Sequence, residues 1–286
     1  MTRILAISSQ VAHGSVGLSV IVPALQGLGL EVMALPTVLL SNHPGHAHVA
    51  GARIAPGTLS AMVDALAANG WLASIDAVLS GYLPTPEHVA FVAATVRRLR
   101  SSQPNLPYLC DPVIGDWPKG IYIDERAALA IRDQLVPLAT MLTPNAFELG
   151  WLTGCQITDP ASALAAIRLL PAALHVVATS VPVAAEVLAN VVVTDNHTAV
   201  LEVARRSGVP HGTGDLLSAL LLGRVLNEAT FTTSTAAAVA AVERIIGASE
   251  GYGLLRLNAV PEAVENRSTP PVDVGSRQGA GSRQRA

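Results

Sequence analysis

Hydrophobic and polar positions along this chain alternate between two rhythms. Short, nearly continuous apolar runs fall at 4–8, 32–38, 77–80, 108–110, 141–142 and 175–179. Runs of that length read as strands buried on both faces. Between them, longer stretches at 16–28, 59–68, 87–100, 126–136 and 161–170 carry a helical period, with Gly29, Gly70 and Pro171 as stop signals near helix ends. Strands separated by helices of this length imply βαβ units. The pattern predicts an α/β fold of three αβα layers, its central sheet mostly parallel and covered on both faces. Segments 188–193 and 198–203 predict an antiparallel pair turning near Asp195-Asn196, and helices at 215–226 and 232–248 close the fold.

Composition sharpens this picture. The chain has 286 residues, half of them hydrophobic and 14% charged. A charge content so far below the usual ~25% fits strands buried on two sides. The longest apolar runs, such as 236–241, fall well short of the ~20 residues that span a bilayer. No basic segment followed by a long apolar one opens the chain, so no signal peptide is expected. Two cysteines, Cys110 and Cys155, are too few for a disulfide framework and have no metal-ligand neighbour at a telling spacing. A cytoplasmic protein is expected. The net charge of −3, with no basic run before the tail, argues against a nucleic-acid surface.

In open α/β sheets ligands bind beyond the carboxyl ends of the strands. Six predicted strand ends carry polar groups: Ser8-Ser9-Gln10; Thr37, then Ser41-Asn42-His43; Ser80-Gly81-Tyr82; Asp111 with Asp116; Thr143-Pro144-Asn145 with Glu148; and Thr179-Ser180. Such residues also favour turns and caps. Gly212-Thr213-Gly214-Asp215 precedes an apolar helix, where converging backbone amides favour an anion. Two readings of Asp215 follow: a cap for that helix, or a base beside the anion. Asn145 and Glu148, three apart on an opening helical turn, also allow two readings. They would either hold the water shell of Mg²⁺ or form a capping box. Lys119 is the chain's one lysine, and no Gly-x-x-x-x-Gly-Lys-Ser/Thr is present, which excludes Walker-type and protein-kinase sites. The first strand is not followed by Gly-x-Gly-x-x-Gly, which counts against a dinucleotide enzyme.

On these residues the chain resembles the ribokinase-like superfamily and, within it, the pyridoxal kinases, from about residue 3 to 248. The motifs run in the family's order: Ile7-Ser8-Ser9 with His13-Gly14; Thr37-Val38 with Ser41-Asn42-His43; Val78-Leu79-Ser80-Gly81-Tyr82; 110–116, Cys-Asp-Pro-Val-Ile-Gly-Asp; 143–148, Thr-Pro-Asn-Ala-Phe-Glu; and Gly212-Thr213-Gly214-Asp215. The resemblance implies transfer of the γ-phosphoryl group of ATP to the 5′-hydroxyl of pyridoxal, with pyridoxine and pyridoxamine as further acceptors. A hydroxymethylpyrimidine kinase and a non-catalytic carrier or sensor of pyridoxal phosphate are the alternatives. Asp215 matches the catalytic base, and Gly212, Thr213 and Gly214 match the anion hole. Ser9, Thr37, Val38, His43 and Tyr82 match substrate contacts. Asp111, Tyr122, Thr143, Asn145, Glu148, Thr179, Ser180 and Thr213 match the ATP side. Glu148, Asp111 and Asn145 are implied for Mg²⁺, largely through water, and Asp116 and Thr143 for a monovalent cation, K⁺ or Na⁺. The stretch 42–57 matches a flap over the substrate, and a homodimer is implied.

Departures are also visible. Gln10 and Ser15 stand where histidines are common, Ala146 replaces a usual Gln or Leu, Pro44 and His46 alter the flap, and the adenine loop at 205–209 aligns poorly. The kinase domain is expected over 1–265. Residues 266–286, rich in Arg, Ser, Pro, Gly and Gln, read as a disordered tail that cannot bury enough apolar surface to offset its ordering entropy. Deleting 266–286 is therefore expected to leave turnover and thermal midpoint close to unchanged; a large fall in either would show that the tail docks.

Overall fold

The computed structural model describes residues 1–227 and 229–259. The predicted tail and the last residues of the predicted domain lie outside them. One nine-stranded sheet carries the fold: β1 (Arg3–His13), β2 (Glu31–Asn42), β3 (Gly51–Arg53), β4 (Ala77–Ser80), β5 (Tyr108–Cys110), β8 (Met141–Leu142), β9 (His175–Ala184), β10 (Val187–Val193) and β11 (Thr198–Ala204). Its spatial order is β11-β10-β9-β8-β5-β4-β1-β2-β3. The six central strands pair in parallel, from β2 across to β9. The edge strands β3, β10 and β11 run antiparallel to their neighbours. A separate ribbon, β6 (Gly115–Asp116) with β7 (Gly120–Ile121), stands off the sheet.

Two hydrophobic cores sandwich this sheet, as the three-layer expectation requires. Leu5 and Ile7 of β1 point to one, and Ile4 and Ala6 to the other. That alternation onto two apolar layers is why the strands read as unbroken hydrophobic runs. The first layer holds α2 (Pro56–Ala68), α3 (Pro86–Ser102), α4 (Glu125–Ala130), α5 (Ala146–Thr153) and α6 (Pro160–Ile167). The second holds α1 (Leu18–Gly27), α7 (Thr213–Leu226) and α8 (Phe231–Ala248). No helix among the described residues is long and apolar enough to cross a membrane.

The structure corrects several boundaries. The predicted helix at 126–136 is regular only to Ala130, then loosens into a π turn, Ile131–Leu135, and a 3₁₀ turn, Val136–Leu138. Pro137 has no amide hydrogen to continue the α ladder. Strands β1 and β2 outrun their apolar stretches, because ladder pairing needs backbone, not apolar side chains. Ser9, Gln10, Ser41 and Asn42 are thus strand residues rather than loop residues. The ribbon β6–β7 and the short β3 leave no periodic trace in two or three residues. The predicted flap also shrinks: Pro56 and Gly57 already open α2, so the segment joining β2 to β3 is 43–50. It is pinned at its base, where the Ser41 amide donates to the Ala50 carbonyl at 2.7 Å and the Asn42 side chain donates to the His48 carbonyl at 3.1 Å.

Candidate active site

Two irregularities in the ladders prepare the site. Between Ser8↔Pro36 and Gln10↔Leu39 the register slips, so that Ser9 of β1 faces both Thr37 and Val38 of β2. Between Ala189↔Val181 and Val191↔Ala178 it slips again, leaving Thr179 and Ser180 opposite Asn190 alone. Ser180 takes a φ of 56° there, unusual for a residue with a side chain. Bulges bend a strand and re-aim its side chains. Five residues singled out from the sequence sit on these two slips.

Around the first slip the polar groups interlock. The Thr37 hydroxyl donates to the Tyr82 carbonyl at 2.8 Å, and the Tyr82 amide donates to Ser8 Oγ at 3.1 Å. Thr37 therefore sets the position of Tyr82. Val38 is buried and lies in the β2–β3 ladder opposite Arg53.

The helix α7 starts on Gly212, whose φ of 97° suits glycine alone. A Cβ there would fall 1.7 Å from the Ser15 carbonyl oxygen, so the loop after β1 and the start of α7 are in contact. The first amides of a helix have no acceptor within it. Asp215 does not cap them. Its Oδ2 instead accepts the Gly17 amide of the β1–α1 loop at 2.9 Å. Its Oδ1 points towards the end of β4, 3.6 Å from where a Cβ on Gly81 would stand. Of the two readings of Asp215, the cap is not the one realised. Burial pushes this carboxyl up to about 6, with the Gly17 amide acting against the rise.

Asn145 and Glu148 resolve the other way, into the capping box. The Glu148 amide donates to Asn145 Oδ1 at 2.9 Å, and the Asn145 amide to Glu148 Oε2 at 2.8 Å. Both side chains reach further. Glu148 Oε1 accepts the Ile114 and Gly115 amides at 2.9 and 3.4 Å, and Asn145 Nδ2 donates to the Gly115 carbonyl at 2.8 Å. The cap of α5 is thus also the tie that holds the chain entering β6. Asn145 bridges Thr179 as well, whose amide donates to the Pro144 carbonyl at 2.8 Å.

Asp111, at the end of β5, completes an acidic group. Burial first, and then the charge of Asp215, raise its carboxyl to about 8. Burial, with Asp111 second, holds Glu148 well above the ordinary range. The Ser218 hydroxyl donates to Asp111 Oδ2 at 3.0 Å and lies 2.8 Å from Thr143 Oγ1. Asp116 has one buried carboxylate oxygen, Oδ1, without a hydrogen-bond partner. The Tyr122 hydroxyl, on a residue 45% exposed, is raised by burial and then by the charges of Glu148, Asp116, Asp111 and Asp215. No three His, Cys, Asp or Glu side chains among the described residues are disposed to hold a metal by themselves. The loop expected over the adenine borders a cleft of about 690 Å³ with Glu250, Gly251 and Gly253.

Sequence reading missed Gly17, Ser218 and His211 here. Ser218 left a signal: it is the one polar residue inside the apolar stretch 216–222 and stands one turn after Asp215. Gly17 left none beyond being a glycine. His211 stacks on His43, in the segment between β2 and β3, with ring centroids 3.9 Å apart, and only its place before Gly212 marked it.

A family model described as phosphomethylpyrimidine kinase matches residues 22–256. A pyridoxine/pyridoxal/pyridoxamine kinase of Bordetella avium is 37% identical over 257 residues, 87% of this chain and 82% of its own. A pyridoxal kinase of Deinococcus radiodurans is 33% identical over 269 residues, 90% of each chain. Among solved structures, the pyridoxal kinase of Leishmania donovani in complex with ADP and pyridoxamine superposes with a TM-score of 0.87 at 28% identity. That match covers 94% of this chain and 97% of the other.

The buried carboxyl of Asp111 makes stability depend on pH. Its folded pKa of about 8 lies above the ordinary 3.8, so between those values the folded chain holds a proton that the unfolded chain releases. Stability is then lost as pH rises from about 4 to about 8. Asp111→Asn keeps an acceptor for Ser218 and does not titrate. Its thermal midpoint, measured with chelator and without nucleotide, is expected to match wild type near pH 4 and to exceed it increasingly up to pH 8. The ceiling is about 1.4 kcal/mol per pH unit. A pH-independent difference would show that Asp111 is not held protonated.

Proposed function

The chain belongs to the phosphomethylpyrimidine kinase family, and from that footing we propose that it is a pyridoxal kinase, moving the γ-phosphoryl group of ATP to the 5′-hydroxyl of pyridoxal. The observation that carries this reading is the state of Asp215. Its carboxylate is tied to Gly17 rather than to its own helix, beside amides of α7 that have no acceptor within the helix. A base aimed beside an anion cradle is what transfer from a phosphoanhydride to an alcohol requires. The names of the curated relatives supply the substrate.

Phosphoryl transfer passes through a loose transition state, so the protein's work is positioning and charge neutralisation. The amides of Gly212, Thr213 and Gly214, at the positive end of α7, take the charge of the migrating group. Asp215 orients the 5′-hydroxyl and accepts its proton late in the transfer. At pH 7 a group with a pKa of about 6 is mostly ionised and ready for this. Ser9 meets the pyridine ring, Thr37 positions Tyr82 as a pocket wall with Val38 behind it, and His43 covers the pocket from the flap. Tyr122, Thr143, Asn145, Thr179 and Ser180 line the nucleotide side, and the cleft at 205–208 takes the adenine end.

Mg²⁺ fits the acidic group, where burial raises Asp111 and Glu148 together and the buried Oδ1 of Asp116 is unpartnered. Glu148 and Asp111 would hold it, mostly through water, as a hard cation that keeps several waters prefers. Asn145 contributes through water as a support, since its neutral amide, already bonded to Gly115 and Glu148, brings no charge to balance the cation's. When bound, Mg²⁺ supplies neutralisation of the phosphate oxygens. A monovalent cation, K⁺ or Na⁺, beside Asp116 and Thr143, a homodimer and a cytoplasmic location complete the reading.

The description of the matching family favours one rival, a hydroxymethylpyrimidine kinase. ADP release, measured with pyridoxal and with hydroxymethylpyrimidine as acceptors, decides between them. Faster release with hydroxymethylpyrimidine alone would move the assignment, and release with neither would favour a carrier or sensor.

Asp215→Asn is expected to lower kcat by roughly 10²–10⁴-fold, with pyridoxal affinity little changed and, because this carboxyl is also raised by burial, a thermal midpoint at pH 7 no lower than that of wild type. In wild type, kcat/KM is expected to climb as pH rises through about 6, as Asp215 loses its proton, and then to level. The residual activity of the mutant should lack that limb. Near wild-type turnover in the mutant would remove Asp215 from the chemistry.

A further inference from the structure

One ring contact ties the segment 43–50, between β2 and β3, to the entrance of α7. The His43 ring lies on the His211 ring, with centroids 3.9 Å apart and planes at 21°. The two residues belong to different parts of the fold. His43 is in the loop after β2, whereas His211 immediately precedes Gly212, where α7 is wedged against the Ser15 carbonyl. His43 is also fixed in its tautomer: its Nδ1 accepts the Gly45 amide at 3.1 Å, so its proton is on Nε2.

We propose that His211 is a positioning residue that latches the flap over the substrate pocket, by stacking on His43 from the rigid entrance to the anion cradle. The proposal rests on the reading of 43–50 as the substrate flap. Catalysis then needs the latch only to hold acceptor and flap together, because His211 touches neither reacting group. A latch of this kind makes flap closure and the cradle one mechanical unit, so a substrate held under the flap is held in register with the amides at 212–214.

The stack works between uncharged rings. Burial and then the neighbouring His211, Lys119 and His46 bring the His43 pKa down to about 4. Burial and then Lys119 lower His211 as well, with Asp116 acting against the fall. The groups facing the pair are therefore Lys119 and Asp116 from the β6–β7 ribbon and its turn, and His46 from the flap itself. Protonating both rings sets two like charges 3.9 Å apart, and protonating His43 also removes the acceptor that Gly45 uses. The latch is closed at neutral pH and released by acid.

The test uses the full chain as wild type, His211→Ala and His211→Phe. Kinetics with pyridoxal and ATP are measured beside amide-exchange protection of residues 43–50. Alanine should raise the KM for pyridoxal by about three- to tenfold, the size expected of one aromatic pair, with kcat within twofold and protection of 43–50 reduced. Phenylalanine, which stacks but does not titrate, should restore both. Wild-type protection at 43–50 should also fall as pH drops towards about 4, and the phenylalanine variant, with no second ring to charge, should show a weaker fall. An alanine variant with wild-type KM and protection overturns the proposal. So does a phenylalanine variant as impaired as alanine, since the imidazole would then matter for a reason other than stacking. Should wild type not phosphorylate pyridoxal at all, the exchange arm still decides the latch, and the failure belongs to the functional reading instead.

Discussion

Asp111, Glu148 and Asp215 come from three separate elements and meet in a space that solvates none of them well. Each is pushed towards its neutral form by burial, and Asp111 also by the charge of Asp215. Isolated carboxylates could not be held this way at neutral pH without compensation. The surrounding structure supplies it with donors: Gly17 to Asp215, Ile114, Gly115 and Asn145 to Glu148, and Ser218 to Asp111. Much of the local architecture follows from where those donors must be. The loop after β1 bends back to reach α7, the chain entering β6 is drawn onto α5, and the third residue after Asp215 on its helix is a serine. A cation entering this group would displace the protons that burial keeps on Asp111 and Glu148, so its binding there is coupled to proton release.

Legibility in the sequence followed the length over which a pattern repeats. The six parallel strands and the long helices could be read because a hydrophobic layer imposes its period on many residues at once. Glycine and proline marked the helix ends, and the strong turn chemistry of Gly212-Thr213-Gly214 marked the cradle. By contrast, β3 and the β6–β7 ribbon are too short to carry a period. The extension of β1 through Ser9 and Gln10 was hidden because backbone pairing there proceeds against polar side chains. The slips at Ser9 and at Thr179-Ser180 were hidden for a related reason: register belongs to pairs of strands, not to one segment.

The two composite signals show where a motif ends and geometry begins. Both Asn145-x-x-Glu148 and Gly-Thr-Gly-Asp allowed a capping role. The first is a capping box in full, and its glutamate also accepts the Ile114 and Gly115 amides while serving the helix. The second is not a cap, because Gly17, 198 positions away in the chain, claims the aspartate. No local window contains that partner. His211 belongs to the same class, since its partner His43 comes from the segment between β2 and β3, whereas Ser218 was marked by its polarity within the apolar stretch 216–222.

The helix α7 has two attachments. Its first turn faces the site, while Leu216, Leu217, Ala219, Leu220, Leu221 and Leu222 are packed in the second core. Whatever draws on the amides at its start therefore also draws on a whole layer of the sandwich. With the phosphoryl group placed on those amides as proposed, its binding and the melting of that layer become a single linked equilibrium, in which the midpoint of unfolding rises with the logarithm of ligand concentration above its dissociation constant. The protein's heat resistance is, in that sense, a gauge of how much nucleotide surrounds it.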